Sequence, residues 1–81
     1  MEREEVFQKL TEIFRNNFDD ERICLSDSTS AQDIEDWDSL EQVNLVVAIQ
    51  SEFKIRFQLD EVNAMRNVGE MVDGILSKVG E

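Results

Sequence analysis

Asp38-Ser39-Leu40-Glu41 sets a nucleophilic hydroxyl between carboxylates, at the point where a polar segment gives way to the longest helix-patterned stretch of the chain. A catalytic serine needs a base. The chain contains no histidine, and Ile34 to Gln42 contains no lysine, so Ser-His-Asp catalysis within one subunit is excluded. Covalent modification of Ser39 by another enzyme asks less: an accessible hydroxyl, a defined local backbone and surroundings that engage the modifying enzyme. With Asp38 as N-cap and Glu41 at N3 returning a bond to the Asp38 amide, Ser39 becomes the first helical residue. The free amides and dipole of such a helix end favour an attached phosphate, against the opposing charges of Asp36, Asp38 and Glu41. The plainer reading is that Asp38-Ser39 simply starts a helix. An Asp-Ser-Leu tripeptide arises by chance in roughly a few per cent of chains of this length at ordinary residue frequencies.

The elements that position this serine read as helices. From Glu2 to about Asn17, Val6, Phe7, Leu10, Ile13 and Phe14 fall on one helical face, with Glu2, Glu4 and Glu5 suited to its positive end. Asn16-Asn17 marks the expected end, with Phe18 folded back as a lid on the core. Residues 19–37 form a long connection, expected to be anchored by Ile23, Leu25, Ile34 and Trp37, with a short helical turn between Ala31 and Glu35. In the segment Leu40 to Phe53, the residues Leu45, Ile49 and Phe53 face inward, and Leu40, Val43 and Val47 form an adjacent stripe. Its β-branched residues require tertiary packing to hold the helix. Lys54-Ile55-Arg56-Phe57 alternates like a strand but is too short to establish a sheet, so it reads as an ordered connection anchored by Ile55 and Phe57. Leu59 to Arg66 is expected to be a short helix with Val62 and Met65 inward. Asn67, reinforced by Glu70 at N3, caps a last helix bearing Val68, Met71, Val72, Ile75, Leu76 and Val79. Gly69 and Gly74 each weaken that helix by roughly 1 kcal/mol relative to alanine, which points to close packing, and Gly80 ends it. The fold class is all-α.

Composition narrows the function. The 81 residues allow one modest core and one domain spanning 1–81. With 41% hydrophobic and 33% charged residues, the chain has the balance of a folded protein. Nineteen acidic against eight basic residues give a net charge of -11. Nucleic acid and anionic lipid are therefore poor partners, and basic protein surfaces good ones. The acidic field is concentrated before the serine: through Asp38 there are 12 acidic and 4 basic residues. Cys24 is the only cysteine, so no intrachain disulfide exists. Without histidine the commonest metal ligand is missing as well, and no metal site is expected. The opening Met1-Glu2-Arg3-Glu4-Glu5 lacks the pattern of a secretory signal, and no stretch is apolar enough to span a bilayer. A soluble, cytoplasmic monomer is expected.

The wider pattern resembles the acyl carrier protein family. Asp38-Ser39-Leu40-Glu41 matches its Asp-Ser-Leu-Asp/Glu attachment motif, and the likeness runs on through Val43, Leu45, Val46, Ala48, Glu52-Phe53, Asp60-Glu61, Val68, Val72 and Ile75. It covers nearly the whole chain. The resemblance implies a small four-helix bundle with a long first loop and a short third helix. It also implies that Ser39 receives 4'-phosphopantetheine from coenzyme A, delivered by a phosphopantetheinyl transferase, and that the arm carries acyl groups as thioesters. The carrier itself has no catalytic residue on this reading. Asp38, Leu40 and Glu41 complete the attachment motif, while Asp36, Val43, Asn44 and Val47 are the expected partner-recognition residues. Partners would be acyl-loading, condensing, modifying or acyl-transferring enzymes with basic docking surfaces. Leu45, Val46, Ile49 and Phe53 read as core, and Trp37 as the loop anchor that orients Ser39. Cys24 reads as a small structural residue instead of a redox centre.

Departures from the family pattern bear on which carrier this is. Carriers of bacterial fatty-acid synthesis commonly have an acidic residue at the position of Asn44 and a glutamate run where this chain has Gln50-Ser51-Glu52, and Lys54 and Arg56 add positive charge. These differences suggest a specialised carrier for a polyketide or related pathway, or one resembling fatty-acid synthesis. The alternatives are an aminoacyl or peptidyl carrier, and an unmodified helical protein-interaction domain.

Overall fold

Thr29, a polar residue of the long connection, is almost fully buried, and it shows how that connection is held. The computed structural model describes residues 2–79, with Leu59 described by its backbone alone. The chain order is α1 (Arg3–Phe18), α2 (Ser39–Phe53), α3 (Leu59–Ala64) and α4 (Val68–Val79), with no strand among the described residues. The all-α expectation and the short third helix are borne out. Helix α1 packs against α2 and α4, burying Val6, Leu10 and Phe14 against Leu45, Ile49, Phe53, Val68, Met71, Val72 and Ile75.

Each helix follows from its sequence with small differences. Glu2, with Glu5 at N3, caps α1, which runs past Asn16-Asn17 to Phe18 because Phe18 packs on Phe14 with ring centroids 6.0 Å apart. Asp19 then closes the helix in the left-handed region, at φ 51°, a conformation that Asp tolerates better than most residues. Lys54 ends α2 in the same way at φ 56°. The Ile55 amide bonds back to the Gln50 carbonyl at 3.2 Å, and the Phe57 amide donates to Gln50 Oε1 at 2.8 Å. These bonds make residues 54–57 an ordered connection, with Ile55 and Phe57 packed on the core.

Helix α3 stops at Ala64, two residues sooner than expected, since Met65 is extended. Asn67 Oδ1 accepts from the Glu70 amide at 2.9 Å, as a cap should. Glu70, however, accepts from the Arg66 amide at 2.6 Å instead of returning a bond to Asn67. Gly80, expected to end the helix, lies outside the described residues.

The long connection is tied down at both ends and in the middle. Arg15 Nε donates to the Ile23 carbonyl at 2.9 Å. The first amides of α4 donate into the loop, Val68 to the Thr29 carbonyl at 2.8 Å and Gly69 to the Asp27 carbonyl at 3.0 Å. Arg3 bridges Asp27 and Asp73, joining α1, loop and α4. Ile23, Leu25 and Ile34 pack on the core from the loop side. Residues 31–36 form turns without a helix.

Candidate functional site

Trp37 governs the approach to α2. Its ring is buried and meets Phe14 edge-on, with centroids 5.0 Å apart, while its Nε1 donates to Gln42 Oε1 at 2.7 Å. The end of the loop is thereby fixed to both α1 and the first turns of α2. Asp38 follows in extended conformation and caps α2, its Oδ1 accepting from the Glu41 amide at 2.9 Å. Ser39 is the first helical residue and is exposed. Its hydroxyl makes no hydrogen bond among the described residues.

Glu41 does not complete the reciprocal cap expected from its N3 position. Its Oε1 instead accepts from Asn17 Nδ2 at 3.0 Å and from Asn44 Nδ2 at 3.2 Å. Those bonds tie the start of α2 to the end of α1, so Glu41 is more structural than its motif position suggests. Asp36, Asp38, Val43, Asn44 and Val47 are exposed as partner-recognition residues must be. Leu40 is 68% exposed, Val43 55% and Val47 58%. Apolar side chains this open at spacings of three and four make an exposed apolar stripe on the solvent face of α2.

Beside Ser39 lies an open cleft of about 590 Å³, walled by Trp37 and Val43 on one side and by Val62, Met65 and Arg66 on the other. The sequence signalled nothing of Arg66. It reaches the cleft because α3 ends at Ala64, and no local pattern announces that end. Gln42 was missed for a similar reason, since its pairing with the indole is a tertiary contact. Cys24 is exposed and free.

The geometry defines a small helical bundle that presents Ser39, at a helix start, beside an exposed apolar stripe. No family model matches the chain. It is 28% identical over 80 residues to the acyl carrier protein of Lactobacillus acidophilus, covering 99% of this chain and 100% of that one. It superposes on the solution structure of holo acyl carrier protein from Geobacter metallireducens with a TM-score of 0.88 and 43% identity, covering 93% of this chain and 86% of that one. The acyl carrier protein of Thermotoga maritima, at 22% identity and a TM-score of 0.86, covering 99% of this chain and 93% of that one, shares the fold. The chain belongs to the acyl carrier protein family.

Proposed function

We propose that residues 1–81 form a single acyl carrier domain whose Ser39 is the attachment point of 4'-phosphopantetheine. The observation that carries this reading is an exposed Ser39 at the first helical position, on a backbone fixed by Trp37 and Asp38. In the loading step a phosphopantetheinyl transferase would bind coenzyme A and accept the Ser39 hydroxyl proton on one of its own bases, so that the Ser39 oxygen would bond to the phosphorus carrying the pantetheine while the pyrophosphate link breaks and adenosine 3',5'-bisphosphate leaves. Once attached, the arm supplies a terminal thiol that holds the acyl group as a thioester.

The residues present fit that group. Ser39 opens beside the cleft, which offers Val43, Val62 and Met65 to the arm's apolar parts and Arg66 as a cation on its wall. The chain's own tasks are presentation and docking. Asp38 holds the helix start, and Trp37 fixes the direction from which Ser39 is approached. Leu40, Val43 and Val47 provide apolar contact, and Asp36, Asp38 and Asn44 provide polar contact with enzymes whose entrances are basic. Acyl-loading, condensing, modifying or transferring enzymes do the chemistry. No described helix is long and apolar enough to cross a membrane, and we place the carrier in the cytoplasm. The exposed cations Lys54 and Arg56 at the far end of α2 favour a specialised pathway, of polyketide or related type, over central fatty-acid synthesis.

Incubation with coenzyme A and a broad-specificity transferase tests the attachment by intact mass. A gain of roughly 340 Da, the mass of the arm, is expected for the folded protein and none for Ser39→Ala. No gain with a folded protein and an active transferase would overturn the reading and leave a noncovalent interaction domain. The mass of the thioester adduct on natively purified protein then tells acyl from aminoacyl cargo.

A further inference from the structure

Of the eight basic residues in this acidic chain, four are neutralised by carboxylates. Arg3 pairs with Asp27 and Asp73, Lys9 with Glu52, Arg22 with Asp20 and Lys78 with Glu61. Arg15 donates to a carbonyl inside the fold. Lys54, Arg56 and Arg66 have no carboxylate partner among the described residues, and Lys54 and Arg56 stand together at one place. Both are exposed just after α2 and share a shallow surface depression with Val47, the last member of the apolar stripe. Between them and that stripe lie Gln50 and Ser51, which are neutral, and Glu52 is turned away toward Lys9. The opposite end of the stripe carries exposed Asp36 and Asp38.

We infer that α2 is a bipolar docking face whose occupant is a partner enzyme with a basic patch at its active-site mouth and an acidic patch roughly 20 Å away, the rise of the 15 residues separating Ser39 from Lys54. This inference rests on the carrier role proposed for Ser39 and adds the polarity of the partner's docking rim. Charge complementarity selects that occupant: an entirely basic rim would meet Lys54 and Arg56 with like charge, whereas an acidic patch there pairs both cations. A second copy of this chain is disfavoured as occupant by the mutual repulsion of two molecules of net charge -11. Lys54, as the C-cap, complements the negative end of the α2 dipole, but neither it nor Arg56 has a carboxylate partner among the described residues, so both remain free to pair with a docking enzyme.

A two-by-two exchange of charge tests this. The probe is a purified condensing enzyme with a wholly basic docking rim, used as such and with the two rim lysines that cross-link nearest position 54 changed to glutamate. Each form is assayed against holo-carrier of natural sequence and against the Lys54→Glu/Arg56→Glu variant. With the basic rim, reversal of the carrier's cations is expected to raise kcat/KM about tenfold; with the glutamate rim it is expected to lower it by a similar factor. Both effects should fade as salt rises. All four combinations within about twofold of one another would overturn the bipolar face. Lys54→Ala/Arg56→Ala, expected to lie between the two, serves if the reversal disturbs folding. Intact mass on every carrier keeps the outcomes separate, because an absent cofactor gain indicts the attachment at Ser39, whereas full loading with no charge coupling indicts only the docking polarity.

Discussion

Gly69 and Gly74 lie five residues apart in α4, yet adding the same methyl group to each should have opposite consequences. A Cβ at Gly69 would stand 2.8 Å from the Asp27 carbonyl oxygen, 2.8 Å from its Oδ1 and 3.2 Å from its Cα. Asp27 cannot simply retreat, because its carbonyl accepts the Gly69 amide, its side chain pairs with Arg3, and the neighbouring Thr29 carbonyl accepts from Val68. Overpacking of this kind costs about 1–3 kcal/mol, while alanine's better helix propensity returns at most about 1 kcal/mol and less in a first turn. Gly69→Ala should therefore lose about 1–2 kcal/mol. For a domain of this size that lowers Tm by roughly 5–15 °C. At Gly74 the nearest atoms are Phe57 Cε1 at 3.3 Å and Met65 Cε at 3.4 Å. Both are ends of half-buried side chains able to give by a few tenths of an ångström, so Gly74→Ala should leave stability unchanged or raise it by up to about 1 kcal/mol. Urea unfolding followed by circular dichroism and by the fluorescence of Trp37, the sole tryptophan, measures both. Amide exchange at Val68 should quicken in the Gly69 variant as the loop loosens. A Gly69 variant as stable as the parent, or a Gly74 variant damaged more than it, would refute the close-approach reasoning.

Other perturbations separate the roles of residues around Ser39. Asp38→Ala removes the cap and should cost about 1 kcal/mol, whereas Asp38→Asn keeps it and should stay within about 0.5 kcal/mol while slowing Ser39 loading; thermal melts with timed mass spectra check the pair, and equal stability losses would reject the capping role. Val43→Asp changes a side chain that is 55% exposed, so Tm should hold while acyl transfer falls about tenfold; unchanged transfer with every cognate enzyme would remove Val43 from the docking face. Glu61 is held below the usual carboxylate range, first by the Gln58 amide and then by Lys78. A depressed folded pKa stabilises above the ordinary glutamate range and ceases to do so as pH falls through the folded value. The deficit of Glu61→Gln in urea midpoint should thus be present at neutral pH and vanish in acid once the pH lies below the depressed folded value, and a deficit that persists or grows in acid would contradict the assignment.

What the sequence disclosed and what it concealed divide along local and tertiary physics. The span of α2, the Asp38 cap, the buried Leu45, Ile49 and Phe53, and the open Leu40, Val43 and Val47 all follow from periodicity and cap chemistry within a few residues. Contacts across the chain were not legible. Glu41 finds Asn17, 24 positions away, before it can reach back to Asp38. Glu70 takes the Arg66 amide, which became free when Met65 turned extended. Arg66 lines the same cleft as Ser39 for the same reason, and the loop's hold on α4 depends on a missing methyl group at Gly69.

These concealed contacts are the ones that aim the serine. Asp38-Ser39 could start a helix in any chain, but here α1 contributes Phe14 and Asn17 to the floor under that start, α2 returns Gln42 to the indole, and α4 grips the loop through Asp27 and Thr29. Ser39 itself takes no part in that network. A hydroxyl held in place by the residues around it while making no side-chain hydrogen bond of its own can be modified without breaking one, which is what the proposed attachment at Ser39 requires.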